Sequence, residues 1–375
     1  MSQPRLVHVF PAFATGGPEV RTALLIDAMP DFDHTVVSLS GDDSGLQRLE
    51  RPAAVAFRSL EGLGGLGNLR RLGRALRAER PDLLVTYGWG GTDAILGARA
   101  VGLPAPVHVE DGFLPDEARA QKSARLQVRR LAFRLAAALV VPSKTLESIA
   151  TGSWWLPPDR VHYFPNGVDI DRFRPPVGDE RAQARQGLGI ADDELVVGTV
   201  AALRPDKNHE RLVRVFGALS RRMPARLVIV GDGPSRPAIE REAHALGLSD
   251  RLILTGAARD PSALYRGFDV FALTSDTEQM PLSVLEAMAS ALPVVSTDVG
   301  DVRAMVPVNG GRVATLGDDQ ALEQHLLEAG ADAGWRMRAG RRNRDYAEAE
   351  YSLARMIGAY RDVFRRHLAG SGAES

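Results

Sequence analysis

The chain has 375 residues, 45% of them hydrophobic and 25% charged, with a net charge of −1 and no cysteine. That length exceeds one ordinary hydrophobic core, so two domains are expected. The balanced charge gives no support to a nucleic-acid partner, and the lack of cysteine excludes disulfides and thiolate metal sites, which fits a reducing cytoplasm. The opening residues MSQPRLVHVF enter a strand at once without signal-peptide anatomy. No apolar run reaches the ~18–20 residues needed to cross a bilayer, so the expected location is the cytoplasm or, at most, the cytoplasmic surface of a membrane.

Short apolar runs alternate with longer amphipathic stretches from end to end. LVHVF, HTVVSL, AVAF, LLVTY, PVHVE, ALVVPS and VHYF predict strands in the first half. LVVGTVA, RLVIVG, RLILT, DVFALT, PVVST and GRVAT predict those of the second. β-branched cores bounded by Gly and Pro, separated by helix-sized intervals, predict parallel α/β architecture. The turn-rich stretch Pro165–Gly178 is the natural break, so the expected domains are 1–170 and 171–348, followed by a closing segment 349–375. Leu353, Met356, Ile357, Tyr360 and Phe364 make one amphipathic helical pattern over Tyr346–Leu368.

Several strand ends carry residues with chemistry. After the first strand, Phe13 to Glu19 (FATGGPE) places Gly16 and Gly17 before a helix, where paired glycines let backbone approach a ligand closely or simply make a tight turn. Gly62 to Gly67 spells G-x-G-x-x-G, but it follows the third strand and lacks the acid at a following strand end, so a dinucleotide site is not expected there. Arg70, Arg71, Arg74, Arg77 and Arg80 form one basic helical stripe, and Arg119, Lys122, Arg125, Arg129, Arg130 and Arg134 a second; such faces rest on an anionic membrane surface or are solvated. Trp89 ends another strand and suits either sugar stacking or partial burial. Glu110 and Asp111 end the next one, and Arg204 with Lys207 follows the first strand of the second half. Ile229-Val230-Gly231-Asp232-Gly233-Pro234 is a strand followed by a glycine loop.

The most informative stretch is Ser275–Pro293, SDTEQMPLSVLEAMASALP. Pro281 suits a first helical position, and Leu282, Leu285 and Ala289 recur at helical spacing. Glu278 therefore ends a strand, Glu286 lies about a turn and a half into the helix, and the N–H groups of the helix start between them form an anion site.

This stretch resembles the E-x7-E element of retaining glycosyltransferases of family 4 (GT4), which have the GT-B fold. Glu278, Pro281, Glu286-Ala287-Met288-Ala289 and Pro293-Val294-Val295 match it, while Gln279 and Ala291 replace two glycines. The resemblance extends in order from Gly16-Gly17 through Pro165-Asn166-Gly167 and the GDGP loop at Gly231. It implies two Rossmann-like parallel-sheet domains facing a central cleft, an acceptor domain first and a nucleotide-sugar domain second, with the last helix crossing back onto the first. By the same resemblance Lys207 and Arg204 neutralise the diphosphate, although the usual arginine position holds Ala202. Glu286 holds the ribose, Glu278 faces the donor sugar, and Gly16, Gly17, Gly231, Met280, Pro281 and Leu282 border the donor. Asp111 stands where the family often has histidine, and Glu110 and Asp111 are the candidates for orienting the acceptor hydroxyl. The implied donor is a UDP- or GDP-linked sugar and the acceptor a glycan or lipid-linked hydroxyl, as in bacterial polysaccharide or cell-envelope glycan synthesis. No divalent metal or other cofactor is implied. A sugar-nucleotide epimerase of the same fold and a non-catalytic nucleotide-sugar-binding protein are the alternatives.

Overall fold

The computed structural model describes residues 3–14, 16–113, 117 and 121–369; Thr15 of the glycine loop and Arg119 of the second basic stripe lie outside the described residues. Two compact units are present, Met1–Asn166 with Ala354–Ser375, and Gly167–Leu353. The first division falls inside the turn-rich stretch, at Asn166–Gly167. The second falls at Leu353–Ala354 and not after residue 348.

The first unit runs β1 (Arg5–Phe10), α1 (Gly17–Ala28), β2 (Asp33–Ser38), β3 (Ala56–Ser59), α2 (Leu69–Ala78), β4 (Leu83–Tyr87), α3 (Gly88–Ala100), β5 (Val107–Val109), α4 (Ser123–Leu135), β6 (Ala138–Val141), α5 (Lys144–Gly152) and β7 (Val161–Tyr163). The strands form one parallel sheet in the order β3-β2-β1-β4-β5-β6-β7. Strand alternation divides its side chains between two faces. Val7 and Val9 of β1 pack with Leu72, Leu76, Ala94 and Ala98 of α2 and α3. Leu6, His8 and Phe10 are equally buried on the other face, where His8 bonds the Tyr87 hydroxyl at 2.9 Å and His34 Nδ1 at 3.0 Å.

The second unit runs α6 (Glu180–Gln186), β8 (Leu195–Val200), α7 (His209–Ser220), β9 (Ala225–Val230), α8 (Arg236–Ala245), β10 (Leu252–Gly256), α9 (Ser262–Tyr265), β11 (Val270–Leu273), α10 (Leu282–Ala289), β12 (Val294–Thr297), α11 (Val302–Met305), β13 (Gly311–Ala314), α12 (Asp319–Ala331) and α13 (Ala333–Glu350). Its parallel sheet has the order β10-β9-β8-β11-β12-β13. Val196, Val228, Phe271 and Val294 face a core shared with α10, and Val197, Leu227, Val270 and Val295 face one shared with α7 and α12. Each fully buried Val, Leu or Phe contributes ~1.5–3 kcal/mol of transfer free energy. All thirteen predicted strands are present, in two parallel sheets with helices on both faces, as the α/β reading expects.

The closing stretch departs from its prediction. It is two helices, α13 and then α14 (Leu353–Ala369). Tyr351 leaves helical geometry at φ −125°, ψ 21°, and the chain pairs there with the start of the unit. Val168 N–H donates to the Tyr351 carbonyl at 2.8 Å, and Leu353 N–H donates to the Val168 carbonyl at 2.9 Å. Backbone groups committed to that bridge cannot continue the helical ladder.

Candidate functional site

In each sheet the strand order reverses once, between β1 and β4 and between β8 and β11. In open parallel sheets, ligands sit at the carboxyl ends of the strands flanking such a reversal. In the second unit those ends carry Lys207, after β8, and Glu278, after β11. Residues 71 apart in sequence are thus in contact: Lys207 Nζ donates to Glu278 Oε1 at 2.6 Å. The Ser275 hydroxyl donates to the same oxygen at 2.7 Å. The lysine and glutamate side chains are only 14% and 11% exposed, so the pair is poorly screened by solvent.

The lysine loop is built to hold this position. Residues 205–207 form a short 3-10 turn, Asn208 follows at φ +47°, and its side chain caps α7 by accepting from Arg211 N–H. The Thr274 hydroxyl donates to the Asn208 carbonyl at 3.0 Å, fastening this loop to the end of β11. Arg204 is placed differently. Its side chain is 57% exposed and pairs with Asp206 at 3.0 Å, with no bond to Glu278.

On the glutamate side, Pro281 is the N-cap of α10 and Leu282 its first residue, so the helix starts one position later than predicted; no side chain caps it. Met280 is 5% exposed and packs into the core with Val284 and Leu285, which leaves its backbone as the part able to face a ligand. Glu286 accepts a hydrogen bond from the Tyr265 hydroxyl at 2.7 Å. The glutamate loop is braced from β12: Asp301 N–H donates to the Gln279 carbonyl at 2.8 Å. Gly300, at φ +54°, lies so close that a Cβ would stand 2.3 Å from that carbonyl. Gly231 answers to a packing demand of the same kind. At φ +152°, it would put a Cβ 1.8 Å from the Ala201 carbonyl, so its lack of a side chain is required by the β8 loop whatever ligand lies above.

In the first unit Gly16 is the N-cap of α1, at φ −83°, and Gly17 its first residue. Asp111 does not stand open. Both its oxygens are taken by Arg21 of α1, Nη1 at 2.5 Å and Nη2 at 2.7 Å, and Arg21 also donates to Asn166 at 3.1 Å and lies over the Tyr360 ring at 5.7 Å. Burial alone would lower the Arg21 pKa, but the Asp111 carboxylate lifts it above the ordinary arginine value, so the guanidinium is permanently charged. Glu110 is buried, with one oxygen accepting from Gly112 N–H at 3.3 Å and the other 3.7 Å from His108 Nε2.

Two further expectations change. Trp89 has Arg125 and Arg129 over its ring at 5.5 and 4.9 Å, so one face of the indole is already covered. Arg129 does not belong to a surface stripe: it is fully buried and bidentate to Glu117 at 3.0 and 2.9 Å. The α2 arginines do face solvent. A groove of about 860 Å³ in the second unit, bordered by Trp335, Met337, Arg338 and Tyr346, includes none of the predicted site residues.

Sequence reasoning missed Arg21, Ser275, Tyr265 and Gly300. Ser275 stands in the motif stretch and was legible in principle. The partners of Arg21 and Tyr265 are distant in sequence, and nothing local marks them.

Among known proteins, residues 180–346 match the family model "Glycosyl transferases group 1", and residues 16–167 match "Glycosyl transferase 4-like domain". The chain is 32% identical over 253 residues to a D-inositol 3-phosphate glycosyltransferase of Salinispora arenicola, covering 63% of this chain and 56% of the relative. It is 33% identical over 261 residues to a GDP-mannose-dependent alpha-mannosyltransferase of Mycobacterium tuberculosis, covering 65% and 63%. It thus spans less than two thirds of the length of either. The crystal structure of Anabaena HepE in complex with UDP superimposes with a TM-score of 0.85 at 20% identity, covering 96% of this chain and 100% of that one. Two matched models that follow one another along the chain, on two parallel-sheet units, place the protein in family 4 of the glycosyltransferases, with the GT-B fold.

Proposed function

We propose that the protein transfers a sugar, with retention of anomeric configuration, from a UDP- or GDP-linked donor to a hydroxyl of a glycan or lipid-linked acceptor. The observation that carries this reading is the Lys207–Glu278 pair at the strand ends of the β8/β11 reversal. The bond from the sugar anomeric carbon to the diphosphate oxygen breaks with its electrons on the diphosphate. The acceptor oxygen forms the new bond to that carbon, and its proton leaves with the diphosphate.

Charge developing on the leaving diphosphate is the main demand. Lys207, the exposed Arg204 side chain, and the uncapped start of α10 at Pro281 and Leu282 supply the opposing charge. In this reading they do so without a divalent metal. Glu278 meets the donor sugar, where it accepts hydroxyl protons or stabilises positive charge on the ring. Glu286 accepts from the ribose hydroxyls. Gly231 and the Met280 backbone border the donor in the second unit, and Gly16 and Gly17 are the candidates for close backbone approach to a ligand in the first. Asp111, with both oxygens on Arg21, keeps further lone pairs to accept from an acceptor hydroxyl. The UDP-bound structural neighbour and the GDP-mannose-dependent relative support a nucleotide donor. Polysaccharide or cell-envelope glycan synthesis is the setting this chemistry fits.

No described helix is long and apolar enough to cross a membrane. The exposed arginines of α2, beside Leu66 at 60% exposure, favour peripheral contact with the cytoplasmic membrane face.

The test is release of nucleoside diphosphate from UDP- and GDP-sugars, with and without glycan or lipid-linked acceptors, in EDTA and over anionic vesicles. Acceptor-dependent release that persists in EDTA and disappears in Glu278→Gln is expected, with co-sedimentation on the vesicles. Release that ignores the acceptor would favour an epimerase, and binding without turnover a non-catalytic role.

A further inference from the structure

We infer that Tyr265 is a positioning residue for nucleotide recognition: its buried hydroxyl orients the Glu286 carboxylate toward the ribose diol. This rests on the proposed ribose role of Glu286. It adds a residue from outside the motif, one that touches no ligand itself.

Tyr265 ends the short helix α9, 21 positions before Glu286. It is fully buried. Its ring is wedged between Phe173, Phe268 and Phe271 at centroid separations of 5.6, 5.6 and 5.9 Å. Such a ring has one accessible orientation, so the position of the hydroxyl is fixed by the core and not by the loop it serves. That hydroxyl lies 2.7 Å from Glu286 Oε2 and 3.2 Å from the Ser283 carbonyl in the first turn of α10. One phenol therefore reaches both the helix start assigned to the phosphates and the carboxylate assigned to the ribose. A tyrosine buried solely for packing would serve as well without its hydroxyl, which would otherwise carry a desolvation cost.

The proton inventory gives this contact a direction. A carboxylate accepts only, so the phenol must donate. Burial, then the Glu286 charge and the hydrogen bond to it, hold the phenol well above its ordinary range, so the donor is present at every working pH. With Oε2 held, rotation about the last bond of the Glu286 side chain is arrested. Recognition of a vicinal diol needs that plane fixed, because two hydroxyls must meet the carboxylate in one geometry.

The experiment compares ribose and deoxyribose probes on the full chain. Calorimetric titration with UDP, GDP and ADP identifies the diphosphate that wild type binds, and the matching 2′-deoxynucleoside diphosphate is titrated beside it. Inorganic pyrophosphate serves as a probe that has no ribose. Wild type is expected to favour the ribonucleotide by about tenfold, ~1.4 kcal/mol. Glu286→Gln should erase most of that preference. Tyr265→Phe should reduce it to about threefold or less while leaving pyrophosphate affinity unchanged, a pattern that general damage to the fold would not give. Glu286→Asp keeps the charge but withdraws the carboxylate from ribose and phenol alike, so it should lose the preference as Glu286→Gln does. If Tyr265→Phe keeps the wild-type preference while Glu286→Gln loses it, the positioning role is overturned and the ribose role stands. If Glu286→Gln keeps it, the ribose role falls and this inference falls with it.

Discussion

Lys207→Ala and Glu278→Gln should move nucleoside diphosphate affinity in opposite directions, although the two side chains touch. Lys207 Nζ stands 2.6 Å from Glu278 Oε1, and both side chains are well under a third exposed. If Lys207 holds the diphosphate as proposed, deleting it removes a charge-assisted hydrogen bond to phosphate, typically ~1.5–3 kcal/mol, or roughly 10- to 150-fold in affinity. In the proposed site the glutamate would act against the same ligand. A phosphate sharing that ammonium would sit roughly 5 Å from the carboxylate, where like charges repel by about 3 kcal/mol at an effective dielectric near 20. Solvent and the lysine between them reduce this to about 1 kcal/mol. Glu278→Gln should therefore bind free diphosphate several-fold tighter while its turnover drops by two orders of magnitude or more. Titration of UDP and GDP into the three proteins, beside a donor-turnover assay, reads both effects. Equal affinity in Lys207→Ala and wild type would remove the diphosphate from this lysine. Weaker binding in Glu278→Gln would show that the carboxylate supports the phosphate site and does not compete with it.

The sequence carried the sheet pattern almost entirely, because buried parallel strands are short β-branched runs whose chemistry is local. It also carried the residues that motifs mark, Lys207 and Glu278 above all, and their contact follows from a strand order that no local pattern reveals. What it could not carry were partners fixed by topology. Asp111 reads as an open strand-end acid until α1 brings Arg21 against it from 90 residues away. Arg129 reads as one more basic residue on a helix until Glu117 and three aromatic rings enclose it. Periodicity also concealed the break between α13 and α14, since the bridge to Val168 lies far off in sequence and leaves no mark on the amphipathic pattern.

Two further outcomes follow from buried charge. Arg21→Met should lower stability by ~3–5 kcal/mol, because it strands Asp111 beside a 2%-exposed position. Arg21→Lys should recover only part of this, since an ammonium cannot make the two parallel bonds; a loss below about 1 kcal/mol by calorimetry would show that Asp111 is solvated and not locked. His209, at the start of α7, is 2% exposed, and burial, then the nearby Lys207 charge, pushes its pKa down to about 4. In the unfolded chain the imidazole titrates near 6.5, so between those values the unfolded state binds more protons than the native one, and stability rises with pH. The native state incurs no such penalty above pH ~6.5 and loses up to roughly 3 kcal/mol through this group as pH falls toward 4. His209→Gln removes the titration while keeping a polar side chain, so its urea-unfolding free energy should fall less steeply than that of wild type across that window. Parallel curves for the two proteins from pH 7 to 4 would mean that His209 takes its proton as easily in the native state as in the unfolded chain, and would refute the burial argument.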